Sequence, residues 1–313
     1  MVRRIVAAGV WALCALVGTT ATAKEPVPAA GGWLDALHDR VAADLKAGRP
    51  LVIHAHVALC DNSIIRCGSR GLGDGDSLRT NLYWASAGGA RGFFDRRGSG
   101  WTRAFVGRGE HADVLERVVW RRRVAPGAAW QRRGVTAPVD VYVVVDAWRG
   151  RAIDAAVAAY LGDLYGEAPR VVRLPPSASG ARGVALRAGG AAHLVAYLGH
   201  NRWMDTPDFD WGAFARRRSA RQPKGTIAIA CHTRAYLAGH VPAPTRVPLL
   251  FSADFLFASA PAFEAAATAF ATGGSLREIR MAATRGYAEG QRRTVAQVGG
   301  VFTNPSDRRW ARR

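Results

Sequence analysis

Two stretches decide the reading of this chain: Ala192-His193-Leu194-Val195-Ala196-Tyr197-Leu198-Gly199-His200-Asn201 and, one crossover's length later, Gly225-Thr226-Ile227-Ala228-Ile229-Ala230-Cys231-His232. Each is a short, mostly apolar run that stops at glycine, asparagine or a polar cluster. That is the pattern of a strand buried on both faces, as in a parallel sheet. In open parallel sheets the reactive groups gather at the carboxyl ends of the strands. His200 and Cys231 therefore stand as a candidate base and a candidate nucleophile delivered to one crevice.

Working outward, Val139 to Val145 reads as a β-branched strand ending in Asp146-Ala147-Trp148, Ile153 to Tyr165 as a helix and Arg170 to Leu174 as a second short strand. Beyond Cys231, Val247 to Phe251 leads into Ser252-Ala253-Asp254, and Ala260 to Thr272 and Leu276 to Arg292 follow as helices. Strands alternating with helices predict an α/β fold with a mainly parallel sheet flanked by helices on both faces. Upstream, Leu34, Leu37, Val41 and Leu45 recur at helical spacing within Trp33 to Ala47, and Gly48 and Pro50 end that helix. Leu51 to Leu59 is a strand running into Cys60-Asp61-Asn62, and Gly68 to Gly109 is a long Gly-, Arg- and Asp-rich connection. The expected divisions are a leader over 1–23, a helix, strand and loop region over 24–138 packed on the sheet, the α/β domain over 139–293 and a Gly- and Arg-rich tail over 294–313.

The two strand endings resemble those of the caspase-like cysteine peptidases, the clan of caspases, clostripain and gingipains. There the histidine follows one apolar strand, usually as His-Gly, and the nucleophile follows the next, usually as Ala-Cys. Gly199-His200-Asn201 and Ala230-Cys231-His232 keep that order, and the resemblance runs over about residues 139 to 290. It implies an exported cysteine peptidase or related thiol acyl hydrolase acting on a peptide or protein, without a cofactor. By that resemblance Cys231 attacks the acyl carbon, His200 moves the proton, and backbone N–H groups near Gly199 and Cys231 face the oxyanion. The chain also departs from the clan. Asn201, a candidate for the oxyanion region or pocket, stands where Gly is usual and narrows that region, and the Gly-rich segment Ser177 to Gly190 stands where a covering helix is expected. A catalytically inactive caspase-like module is the alternative these departures leave open. Asn81, Tyr83, Trp84, Phe93, Phe94 and Trp101 would then serve peptide or glycan binding.

Asp146, Asp205 and Asp254 lie at or just past other strand ends. They are candidates to orient His200 or to bind a basic substrate side chain, and each also fits a capping or turn aspartate. His232 is a poorer base than His200, because adjacent residues on a strand face opposite ways. His54-Ala55-His56 supplies a second alternative, a metal-dependent hydrolase, since residues two apart on a strand share a face and can reach one ion. Packed strand histidines bonded to their neighbours are the competing reading. The interval from His232 to Asp254 is too short for the helices and strand of an amidohydrolase barrel.

Arg3 and Arg4, the apolar run Ile5 to Gly18 and Ala21-Thr22-Ala23 read as a secretory signal peptide cleaved before Lys24, which places the product in the periplasm or outside the cell. No later run is apolar and long enough to span a bilayer. Of 43 Lys and Arg, all but Arg3 and Arg4 remain after cleavage, so 41 basic residues face 24 acidic ones for a net charge of +17. The arginines are dispersed, with runs at Arg121-Arg122-Arg123, Arg216-Arg217-Arg218 and Arg308 to Arg313, and no nucleic-acid motif accompanies them. In an oxidising compartment Cys60 and Cys67 can close a small disulfide loop, leaving Cys231 as the odd thiol.

Overall fold

The computed structural model describes residues 31–176, 183–215 and 221–311; the leader assigned to 1–23 lies outside them. Its strands are β1 (Leu51–Ala58), β2 (Thr102–Gly107), β3 (Val114–Val124), β4 (Val139–Trp148), β5 (Pro169–Leu174), β6 (Val184–Gly189), β7 (Leu194–Leu198), β8 (Lys224–Ile229), β9 (Arg246–Ser252) and β10 (Phe302–Thr303). Eight of them form one sheet in the order β10-β9-β8-β7-β1-β4-β3-β2. The run β9-β8-β7-β1-β4 is parallel throughout, and β10, β3 and β2 are antiparallel additions at its two edges. The chain is thus a mixed α/β protein with a mainly parallel sheet, a layout compatible with a caspase-like fold.

The two core faces follow from the pleat. In β7, Leu194, Ala196 and Leu198 join one apolar cluster while Val195 and Tyr197 join the other. The first cluster is closed by the helices Gly31–Lys46, Ala260–Ala271 and Leu276–Gly290, through side chains such as Leu37, Val41, Phe263, Phe270 and Ile279. The second is closed by Ile153–Tyr165 and Thr233–Leu237, through Val157, Tyr160, Leu161, Leu164 and Leu237. Fully burying each such side chain contributes about 1.5–3 kcal/mol. Both faces are covered, which is why the strands read as continuous apolar runs.

All eight residues of β1 are buried, and the strand lies between β4 and β7, with Leu51 opposite Val141 and Ile53 opposite Leu194. The N-terminal region therefore supplies a central strand of the sheet. The run Arg170 to Leu174 goes elsewhere. It pairs as β5 with β6 in a separate antiparallel hairpin, where Val172, Leu174, Leu186 and Ala188 face inward and the alternate positions face out. Such alternation suits a half-covered pair rather than a central strand.

The long connection after β1 is largely packed. Asn81, Trp84 and Phe94 are fully buried, so they do not form a displayed glycan face. Asn81 accepts from the Cys60 and Tyr83 N–H groups and donates to the carbonyls of Cys60 and Asp74. Trp84 donates to Glu116 on β3. Cys60 and Cys67 are joined, with Cα atoms 6.2 Å apart, as suits an oxidising compartment. No helix among the described residues is long and apolar enough to cross a membrane.

His38, on the first helix, sits edge-on to Trp130 at 4.7 Å, and its Nε2 has no hydrogen-bond partner among the described residues. Burial, then the charge of Arg133, lowers its pKa to about 4. The unfolded chain takes up this proton near pH 6.5 and the folded chain does not, so the stability linked to His38 is complete above pH 6.5 and lost as the pH falls toward 4. By pH 5 the loss is about 2 kcal/mol. His38→Phe is expected to reduce the drop in unfolding free energy between pH 7.5 and pH 5 by about that amount. Denaturant titrations at the two pH values measure it, and an unchanged drop would contradict the account.

Candidate functional site

The site is built on the register of β7 and β8. Leu198 lies opposite Ile229, and each strand continues two residues to reach His200 and Cys231. Gly199 makes the exit from β7 possible. Its φ is +154°, and a Cβ there would meet the Ala58 carbonyl at 3.1 Å and the Tyr197 hydroxyl at 3.3 Å. Its N–H donates to Ile229 O at 3.2 Å, so that group is held in the sheet and is not aimed at a substrate. This removes Gly199 from the expected oxyanion donors.

His200 is 8 % exposed. Its carbonyl accepts from the Tyr197 hydroxyl at 2.8 Å, and its Nε2–H donates to Asp205 at 2.6 Å. With Nε2 carrying the proton, Nδ1 keeps the lone pair that a base needs. Asp205 closes the short helix Arg202–Asp205, and the Asn201 side chain caps the start of that helix by accepting from Trp203 N–H at 3.0 Å. The same Asn201 side chain donates from Nδ2 to the carbonyl of Cys231. Asn201 thus ties the histidine turn to the cysteine turn.

Cys231 is half-buried, and its thiol points at the Leu256 carbonyl, 3.8 Å away. The next residue, His232, has φ +50°, a left-handed conformation uncommon for a residue with a side chain. This sharp strand-to-helix turn leaves Cys231 at its apex. Thr233 and Ser252 fix it: Thr233 Oγ1 donates to Ala228 O at 2.8 Å and accepts from Ser252 N–H at 2.9 Å, while Ser252 Oγ donates to Ala230 O. The His232 ring is spent on Ala253 O and packs edge-on to Phe255. Burial raises the pKa of Tyr83, and the proximity of Cys231 adds to the shift.

Of the three aspartates, Asp205 reaches His200 and the others do not. Asp254 is exposed, accepts from Phe255 N–H at 2.7 Å, and through its carbonyl accepts from His232 N–H. Asp146 is buried inside β4, because that strand runs on to Trp148. Arg117 grips it with two bonds of 2.6 and 2.8 Å, and His54 Nε2–H donates to it at 3.2 Å. Burial pushes the Asp146 carboxyl up, but the Arg117 hydrogen bonds and the His54 contact outweigh it and hold the group well below the usual range.

His54, His56 and Asp146 place ligand-type atoms within 4.8 Å of one another. Their donor atoms are committed, however. His54 Nδ1 accepts from Gly189 N–H at 3.0 Å, His56 Nδ1 accepts from Trp148 Nε1–H at 3.1 Å, and His56 Nε2–H donates to Asp163 at 3.0 Å. Burial keeps His56 below its ordinary pKa. With each imidazole lone pair taken and an arginine bound to the carboxylate, the set does not fit a cation. It is a buried hydrogen-bonded network, and the metal-hydrolase alternative loses its ligands to it.

Comparison with protein-family models, curated proteins and solved structures finds no match to this chain.

Replacing Arg117 by Met leaves the Asp146 carboxylate buried beside a single histidine, and is expected to cost about 3–5 kcal/mol of stability. Urea unfolding measures this. A loss below about 1 kcal/mol would show that Asp146 finds its compensation elsewhere.

Proposed function

We propose that this protein is a caspase-like cysteine peptidase or related thiol acyl hydrolase of an oxidising compartment. Cys231 is the nucleophile, His200 the acid and base, and Asp205 the residue that positions His200. The observation that carries this reading is the shared register: two neighbouring parallel strands end level, one in a histidine and the other in a half-exposed thiol. The His-before-Cys order along the chain adds support to the caspase-like assignment.

In the proposed reaction the Cys231 sulfur adds to the acyl carbon of a peptide or protein, and the oxyanion is received by the backbone N–H of Cys231. His200 takes the thiol proton at Nδ1 and delivers it to the departing amine, leaving a thioester. Water, deprotonated by the same nitrogen, then releases the acid and restores the thiol. Asp205 keeps Nε2 protonated, so that Nδ1 stays available through the cycle.

With a broad pool of quenched fluorescent peptides as substrate, Cys231→Ala is expected to abolish turnover while leaving the circular dichroism spectrum unchanged. His200→Ala is expected to lower kcat by about 10²–10⁴-fold, and Asp205→Asn by a smaller factor. Turnover that survives Cys231→Ala would overturn the proposal.

A further inference from the structure

At the end of the sheet away from Cys231, the starts of the parallel strands border a cavity of about 190 Å³. Arg40 and Asp44 line it from the helix Gly31–Lys46, Arg49 from the turn before β1, Arg187 from β6, His193 from the start of β7 and Gln222 from the segment before β8. His193 and His200 flank the same strand, seven residues apart, so the cavity stands roughly 20 Å from the candidate active site.

The charges around this cavity do not balance. Asp44 is the one carboxylate in its wall, and it accepts from His193 Nε2–H at 3.0 Å and pairs with Arg49. His193 Nδ1 accepts from Val52 N–H at 3.1 Å, and burial holds the imidazole below its ordinary pKa, so the ring is neutral. Outside the wall, the Glu167 carboxylate is taken by the N–H groups of Arg221 and Gln222. Arg40 spends its terminal nitrogens on the carbonyls of Ala191, Ala192 and Pro223, at 2.7 to 3.2 Å, and its Nε is buried without a hydrogen-bond partner among the described residues. Arg187 is exposed and has no carboxylate partner among the described residues. Burial first, and the charge of Arg187 as well, lower the pKa of Arg40, with Asp44 opposing them. Three guanidinium groups against one carboxylate leave an excess of two positive charges around one concave space. Such a space concentrates anions.

We infer that this cavity is a binding site for a small phosphate monoester, with the dianionic phosphate held among Arg40, Arg49 and Arg187. Guanidinium groups match phosphate oxygens in direction as well as charge. Arg40 is fixed in place by its three backbone bonds and contributes its charge and the spare Nε–H, while Arg187 is free to close on the ligand. The cavity is larger than a phosphate group, and its remaining space, beside Ala185 and Ala191, suits a short organic stem. The site is separate from Cys231 and His200 and does not rest on the activity proposed for them.

Isothermal titration calorimetry of the full chain, at constant ionic strength in a phosphate-free buffer, tests this with glycerol 3-phosphate, orthophosphate and acetate as titrants. Glycerol 3-phosphate is expected to bind once per chain with Kd below about 1 mM, orthophosphate more weakly, and acetate at least about 10-fold more weakly than the ester. Arg187→Ala, a change at an exposed position, is expected to weaken the ester by at least about 10-fold, and Arg187→Lys to restore part of the loss. Arg70→Ala, which removes an exposed arginine in the connection after β1, is expected to leave binding unchanged. No binding up to about 10 mM ester, acetate binding as tight as the ester, an unchanged Kd in Arg187→Ala, or an equal loss in Arg70→Ala overturns the site. Orthophosphate binding more tightly than glycerol 3-phosphate overturns the choice of an ester.

Discussion

The structure depends on β1 and on the two histidines buried within it. A strand hydrogen-bonded on both sides and covered on both faces has no water to satisfy polar side chains, so each ring nitrogen of His54 and His56 must find a protein partner. They find Asp146 on β4, Asp163 on the helix Ile153–Tyr165, the indole of Trp148 and the backbone of Gly189 on β6. Arg117 from β3 and Arg170 from β5 balance the two carboxylates. One polar cluster therefore fixes the centre of the sheet, its covering helix and the separate hairpin to each other. Losing any member leaves a buried charge or an unpaired donor, which is costlier than losing an apolar contact of similar size.

From that fixed centre the candidate site follows by pairing alone. β7 lies in register with β1, and β8 in register with β7, so the ends that carry His200 and Cys231 are set by the sheet rather than by loops. The remaining freedom is removed by three short-range devices. Gly199 permits the turn out of β7, Asn201 bonds across to the Cys231 carbonyl, and Thr233 with Ser252 pins the turn after β8. A site on rigid elements with bonded supports holds its reacting groups without an ordering cost at each turnover.

Much of this was legible in the sequence where local pattern decides the outcome. The runs before His200 and Cys231 are buried strands, the helices that follow Asp254 lie close to their expected limits, and the Cys60–Cys67 bond is present. What could not be read depends on long-range pairing. Nothing local tells β1 that its partners are β4 and β7 rather than its sequence neighbours. The same gap hid β3, whose Arg121-Arg122-Arg123 end reads as solvated charge because it is partly outward-facing and paired with Asp140 and Glu264. The sequence reading ends the strand at Val145, whereas β4 runs three residues further to Trp148, enough to turn Asp146 from a pocket candidate into a core ion pair. Thr233 and Ser252 carried no signal, since a hydroxyl beside a turn is common. Asn201 did carry one, as a capping residue ahead of Trp203, besides its reading as a departure at the oxyanion site.

The central claim is that His200 and Cys231 act on each other, and the pH dependence of thiol alkylation tests it most directly. The rate of iodoacetamide reaction at Cys231 is measured from pH 5 to pH 10 for the wild type and for His200→Ala. If the imidazole exchanges a proton with the thiol, the two rate profiles differ in shape across the range where histidine titrates. Superimposable profiles would show that the two side chains end neighbouring strands without chemical contact, and would contradict the account.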